Sequence, residues 1–294
     1  MIRFSVVIPT LNSPTIGQAL ESLEHQEYPP YQVIVVGMDK YNLIREFDLV
    51  HFDCSNIPLS PAKARNRGAA QAGGDVIAFI DSDCVARQDW LTVLSERFSN
   101  PAVTVVGGGV DFYSQNYWTL ADNISMFYEY LSIQPVGERM QLPSLNLAIR
   151  RQAFEQIGGF DENYPRPSSE DADLTIRLRK QGHRMYFEPG AVVGHHPSRN
   201  SLYDMLEHGY YQGKYSTKMD QRYVNEEGLP ALLRTRIGIV CLSPILALGV
   251  TIRAFVKYPA LIRYWYTAPA MFLSKMAWCI GASTHPSDNW RSSL

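Results

Sequence analysis

Two acidic pairs in this chain stand where a fold could use them. Asp81-Ser82-Asp83 closes the apolar run Val76-Ile77-Ala78-Phe79-Ile80, and Glu170-Asp171 opens a helical pattern nearly ninety residues later. A fully apolar run after Gly73-Gly74 reads as a buried parallel strand whose carboxyl end delivers Asp81 and Asp83 to a cleft. Carboxylates spaced as Asp-x-Asp suit a hard divalent cation, Mg²⁺ or Mn²⁺, held between protein oxygens and a diphosphate. Asp83 is the expected direct ligand, with Asp81 nearer a ribose or a metal-bound water. The second pair follows Ser168-Ser169 in the first turn of a helix. Acids there complement the helix dipole, and Ser169 is a natural N-cap. The same dipole is expected to keep a carboxylate ionised, and only the ionised form can take a proton from an acceptor hydroxyl. Two separated acidic sites, one to activate a nucleophile and one to stabilise a leaving group, imply transfer of a group activated by a nucleotide diphosphate.

Two further groups fit that chemistry. His195-His196 ends the apolar run Ala191-Val192-Val193-Gly194, and imidazole is acceptable to Mn²⁺, so His195 is a candidate metal or diphosphate ligand. Its bland alternative is a satisfied core histidine. Ala64-Arg65-Asn66-Arg67-Gly68 puts two guanidiniums on the helix before the metal strand. Arg65 could meet the nucleotide or its phosphates, while Arg67 belongs to a solvated face. Gly107-Gly108-Gly109 follows a strand, but no Gly-x-Gly-x-x-Gly leads from a strand into a helix, which argues against a nicotinamide or flavin cofactor.

The elements that must position these groups alternate. Phe4 to Ile8, Val33 to Val36 and Val76 to Ile80 read as strands. Between the first two, Ser13-Pro14 is expected to cap a helix with Ile16, Ala19, Leu20 and Leu23 on its buried face. Between the second and third, Ser60-Pro61 opens a helix running to about Ala72. A helix around Trp90 to Leu94 follows, so the spacing predicts an α/β fold with a doubly wound, mainly parallel sheet. Beyond Val103 to Val106 the pattern gives a helix from Tyr117 to Ile133, a strand from Leu145 to Ile149, and a helix from Glu170 to Gln181. Strands at Arg184 to Phe187 and Ala191 to Gly194 and a helix from Ser201 to Lys218 complete it.

The chain has 294 residues, enough for one α/β domain and an appendage, and its net charge of −2 is unevenly spread. From residue 228 onward seven basic side chains face Asp288 alone, a net of +6, which leaves about −8 for residues 1–227. The predicted boundary is therefore at 227/228, between a catalytic domain and an apolar, basic helical tail. An acidic body with such a tail argues against nucleic acid as a partner and for an anionic membrane surface. The tail holds Ile237 to Ile252, uncharged but broken by Pro244, and Tyr264 to Ala282, which contains Lys275. Each is near or below the usual spanning length of about 20 residues, so spanning, in-plane insertion and an ordinary core all stay open. Cys54, Cys84, Cys241 and Cys279 are scattered, as reduced cysteines of a cytosolic protein are, and the start resembles a strand rather than a signal peptide.

Seven stretches in order resemble the family 2 glycosyltransferases with a GT-A fold, over about residues 4 to 200. They are Val6 to Asn12, Ala64 to Gly68, Ile80 to Asp83, Asn146 to Arg151, Ile157 to Glu162, Ser169 to Leu174 and Val193 to His195. The resemblance implies a nucleotide pocket lined by Pro9, Thr10 and Asn12, a donor surface that includes Asp81 and Ser82, and Asn146 beside the donor sugar. It also implies a divalent metal on Asp83 and Asp171 as the base of an inverting displacement, with Glu170 beside it. Family members carry adjacent acids after the second strand; here Val35-Val36-Gly37-Met38-Asp39 offers Asp39 two residues late, and the nucleotide stays open. The tail resembles that of the membrane-attached subgroup that builds surface polysaccharides or lipid-linked glycans. Donor, glycan or lipid-linked acceptor and membrane are thus the expected partners, at the cytoplasmic face of the cell membrane. A sugar nucleotidyltransferase and a catalytically silent, glycan-binding membrane scaffold are the alternatives.

Overall fold

The computed structural model describes residues 1–112, 116–227 and 235–284. They fall into two compact units, one within Met1–Tyr113 and Glu129–Pro197, the other within Ser114–Tyr128 and Ser198–Leu294.

The first unit is built on a mixed nine-stranded sheet. Its strands are β1 (Phe4–Leu11), β2 (Gln32–Met38), β3 (Val50–Cys54), β4 (Val76–Ile80), β5 (Cys84–Ala86), β6 (Val105–Asp111), β7 (Gly137–Glu138), β8 (Asn146–Arg150) and β9 (Met185–His195). They lie in the order β3-β2-β1-β4-β8-β6-β9-β5, with β7 also on β9. The first four are parallel, β8 runs antiparallel between β4 and β6, and β9 is parallel to β6. Val76 to Ile80 are all fully buried, as a strand covered on both faces must be. Helices α1 (Ile16–Glu24), α2 (Pro61–Ala69), α3 (Trp90–Phe98), α5 (Arg151–Ile157) and α6 (Glu170–Lys180) flank the sheet.

Several boundaries differ from the sequence reading for local reasons. The first helix begins at Ile16, not Ser13: Ser13 Oγ bonds the Ser82 carbonyl at 3.2 Å instead of capping, and Thr15 takes the N-cap position. Its buried face is nonetheless Ile16, Ala19, Leu20 and Leu23. Ser60 does cap, its Oγ accepting from Lys63 N at 3.3 Å with Pro61 at the helix start. The two strands expected at 184–187 and 191–194 are one, β9, with a bulge opposite Gly108/Gly109. The helix expected to run to Ile133 stops at Phe127.

The second unit is helical: α4 (Tyr117–Phe127), α7 (Leu202–Glu227), α8 (Arg236–Lys257) and α9 (Ala268–Ser283), with a 3₁₀ segment Pro259–Thr267 before α9. The sequence reading assigned the helix starting near Ser201 to the catalytic part, yet α7 packs on α9. Their backbones meet at Gly213 and Gly281, where an added Cβ would lie 1.9 Å from the Trp278 and Tyr210 carbonyls respectively. Lys275 of α9 points inward and donates to the Ser125 carbonyl at 2.7 Å. The second apolar stretch buries one face in this unit, with Ala270, Met271, Ser274 and Cys279 inside, and leaves Trp265, Leu273 and Ile280 exposed. The fully buried Asp122 of α4 receives Arg199 Nε at 2.7 Å and meets His208 Nδ1 at 2.9 Å, an ion network that composition and periodicity did not signal.

Candidate active site

Parallel strands β1, β2 and β4 end on one edge, and the candidate residues gather beyond it. At the close of β1, Asn12 adopts a left-handed φ of 56°. Its backbone N–H donates to the Met38 carbonyl at 2.8 Å, and its Oδ1 accepts from Lys40 N at 2.9 Å. Gly37 permits this closure: at φ 137° its missing Cβ would fall 1.9 Å from the Thr10 carbonyl oxygen. Asp39 Oδ2 accepts from Ile44 N at 2.9 Å, whereas Asp39 Oδ1 and Thr10 Oγ1 are buried with no protein partner. Orphaned buried acceptors and hydroxyls are costly, so both have capacity for the amide or hydroxyl groups of a nucleoside. Pro9, half-buried, pairs with Val36 just behind them.

The two acidic pairs meet through one side chain. The buried Arg65 guanidinium donates from NH2 to Asp81 Oδ1 at 2.6 Å and from NH1 to Glu170 Oε1 at 2.9 Å, above the Phe160 ring. Asp81 and Glu170, far apart in sequence, are thereby held in a single site. Arg65, expected to meet the nucleotide or its phosphates, spends one N–H of each terminal nitrogen on a carboxylate, while its buried Nε has no protein partner. Burial alone would weaken its charge, but Asp81 and Glu170 outweigh burial and raise its pKa.

The Glu170-Asp171 pair corrects another expectation. Ser169, read as an N-cap, has φ 68° and makes no side-chain cap. Burial, followed by the neighbouring Asp171 charge, pushes the Glu170 carboxyl up to about 7 despite Arg65. Burial also lifts Asp171, although Ser144 N donates to it at 3.1 Å and Ala172 N at 2.8 Å. Desolvation therefore beats the helix dipole here. A carboxyl whose proton affinity is raised in this way is a better proton acceptor when ionised.

Asp83 and His195 come together as expected, with Asp83 Oδ2 3.6 Å from His195 Nε2. His196 N donates to the Asp83 carbonyl at 2.8 Å, which fixes the turn against β9. The Ser82 carbonyl is held by Ser13 and by Thr15 Oγ1 at 3.3 Å. A half-buried carboxylate beside an imidazole is a donor pair that suits a divalent ion such as Mn²⁺. Sequence reasoning missed Cys84, whose Sγ lies 4.0 Å from Asp83 Oδ1 and belongs to the same group of donors. Burial pushes its thiol well up. A scattered cysteine gives no periodic signal, and a three-residue strand gives little alternation.

Asn146, expected beside the donor sugar, links several elements of the sheet unit. It is buried: Nδ2 donates to the Gly109 and Ala191 carbonyls, each at 2.9 Å, and Oδ1 accepts from Trp90 Nε1 at 2.9 Å. It ties β6, β9 and α3 together with both of its amide donors in use, and its Oδ1 can still accept a second bond.

With this geometry in place, a comparison with known families is decisive. The model described as Glycosyl transferase family 2 matches residues 5–158. The chain belongs to that family. Glycosyltransferase AglE of Haloferax volcanii is 30% identical over 207 residues, 66% of this chain and 67% of that protein. The glucosyl-dolichyl phosphate glucuronosyltransferase of the same organism is 25% identical, covering 76% of this chain and 79% of its own length. A pre-mycofactocin glycosyltransferase of Mycobacterium tuberculosis is 31% identical over 74% of this chain, which spans about half (48%) of that relative. Among solved structures, the mannosyltransferase PcManGT from Pyrobaculum calidifontis, in complex with GDP-Man and Mn²⁺, superposes with a TM-score of 0.60 at 17% identity, over 93% of this chain and 86% of that one. TarS 1–349 of Staphylococcus aureus in complex with UDP gives 0.54 at 18%, over 95% and 90%. The fold is GT-A, and membership of the family makes the chain a glycosyltransferase.

Proposed function

We propose that this family 2 glycosyltransferase moves a sugar from a nucleotide-diphosphate donor to a hydroxyl acceptor with inversion at the anomeric carbon. The observation that carries the reading is Arg65, whose single buried guanidinium holds Asp81 on the donor side and Glu170, next to Asp171, on the acceptor side. Thr10, Asn12 and Asp39 receive the nucleoside, and Asp81 the ribose. Asp83 and His195 would hold a divalent cation, Mn²⁺ or Mg²⁺, whose chemistry is to neutralise charge growing on the leaving diphosphate. Asp171 takes the acceptor proton as its oxygen attacks; Glu170, tethered to Arg65, fixes the start of α6 and with it the base. Arg65 acts by positioning.

The acceptor is a lipid-linked or surface glycan presented at the cytoplasmic face of the cell membrane, with the helical unit as the attachment. Support comes from α8, which among the described residues is the one helix long and apolar enough to cross a membrane. It also comes from the dolichyl-phosphate substrate in a relative's name.

Hydrolysis and transfer assays with UDP-, dTDP- and GDP-sugars and Mn²⁺ test this reading. Asp171→Asn is expected to keep donor affinity and lower turnover by about 10²-fold or more. A large loss in Glu170→Gln with none in Asp171→Asn would exchange the two roles, and failure to bind any nucleotide sugar would remove the function.

A further inference from the structure

The cation site has a feature that the Asp-x-Asp pattern does not require. Cys84 of β5 is the direct antiparallel partner of His195 on β9, so the two side chains project from the same face of that strand pair. Asp83 precedes Cys84, and its backbone carbonyl is pinned by His196 N. The donor atoms of Asp83, Cys84 and His195 all lie within 4.8 Å of one another. Sγ to Asp83 Oδ1 is 4.0 Å and Asp83 Oδ2 to His195 Nε2 is 3.6 Å. Ligands about 2.0–2.3 Å from a shared ion approach such separations after small side-chain rotations. Both Cys84 and His195 are buried, so an ion reaching them enters past the half-open Asp83 carboxylate.

We propose that Cys84 is a third protein donor of the Asp83–His195 site and sets its metal preference toward borderline and soft divalent ions. The inference rests on the reading of Asp83 and His195 as a cation site. One oxygen, one imidazole nitrogen and one sulfur is a poor set for Mg²⁺, which demands near-octahedral oxygen ligation. It admits Mn²⁺ and binds Co²⁺, Zn²⁺ and Cd²⁺ more tightly, because thiolate and imidazole favour softer ions. On binding, the Cys84 S–H bond breaks, its proton passes to solvent, and a sulfur–metal bond replaces it; no electron transfer is involved. Zn²⁺ and Cd²⁺ then compete with Mn²⁺ for the same place.

The test is titration of the full chain with Cd²⁺ or Co²⁺ alone, without nucleotide, in a background where Cys54, Cys241 and Cys279 are replaced by Ser. A thiolate-to-metal charge-transfer band saturating at one equivalent is expected. It should vanish in Cys84→Ser, with Cd²⁺ affinity about ten-fold or more weaker, the usual scale for disturbing a metal site. Far-UV circular dichroism checks that the variant is folded. Cys84→Ala, read the same way, supplies the result if Cys84→Ser does not fold. Cd²⁺ binding with no charge-transfer band, or a band that survives in a folded Cys84 variant, overturns the proposal. Mn²⁺-dependent cleavage of nucleotide sugars by the chain with Cys84 intact reads the proposed function separately, so the two failures are distinguishable.

Discussion

At the residue scale, the site shows how a side chain's partners decide its role. Asn146 lies in a stretch that resembles a donor-binding motif, and its amide group holds Trp90, Gly109 and Ala191 together. Asn146→Ala is therefore expected to destabilise the protein by about 3 kcal/mol or more, since each abandoned buried group costs about 1–3 kcal/mol. Urea unfolding measures this, and the Michaelis constant for the donor at permissive temperature should barely move. A stable variant with a raised donor constant would favour the sugar-contact reading. Glu170 carries a pH signature. Its carboxyl rises from the usual 4.5 to about 7 on folding, so between those values the folded state holds a proton that the unfolded state has released. Stability from this group is greatest below about 4.5, falls as pH rises through that window, and is lost above about 7. Glu170→Gln retains a partner for Arg65 without the charge. Its urea midpoint is expected to vary less between those pH values than that of the wild type. Parallel profiles for the two proteins would show that Glu170 stays ionised throughout.

At the element scale, strand ends do the positioning, and Gly37 is the test of it. An added Cβ at φ 137° meets the Thr10 carbonyl, so Gly37→Ala must part the ends of β1 and β2. Backbone strain of this kind costs about 1–3 kcal/mol, and it moves Thr10, Asn12 and Asp39 together. Calorimetry is expected to show weakened binding of a nucleoside diphosphate, while unchanged affinity would take the nucleotide away from this edge. This part of the site was legible early because buried parallel strands announce themselves as apolar runs, and polar residues at their ends stand out. Asp83 and His195, which the fold brings within 3.6 Å of each other, were singled out in that way. What stayed hidden depended on contacts distant in sequence: the Arg65 bridge, the commitments of Asn146, and the β5–β9 pairing that brings Cys84 to His195. The Ser13 and Ser169 caps failed for a related reason, since a competing long-range bond or a left-handed turn overrides local propensity.

At the scale of the whole molecule, the chain pairs a sheet unit that carries the candidate chemistry with a helical unit whose surface is unusual for water. Helix α8 touches the rest of its unit along a stripe of small residues, Gly238, Ser243, Ala247, Thr251 and Ala254, and exposes Ile237, Ile245, Leu248, Ile252 and Val256. Its hydroxyls turn back on their own helix: Ser243 bonds the Val240 carbonyl and Thr251 the Ala247 carbonyl, both at 2.8 Å. With both hydroxyls on the buried stripe, the face that Ile237, Ile245, Leu248, Ile252 and Val256 expose is apolar side chain, which suits a lipid environment. The basic residues Arg236, Arg253, Lys257 and Arg263 stand at and beyond its ends. Near an anionic surface each contributes about 1 kcal/mol of attraction, which salt screens. Apolar burial of α8 is not screened. The full chain is therefore expected to sediment with membranes, to stay there through a high-salt wash, and to be released by detergent. Release by salt alone would mean that the charges, and not α8, make the attachment. Recovery mainly in the soluble fraction at low salt without detergent would mean that the exposed face of α8 is covered by something other than lipid.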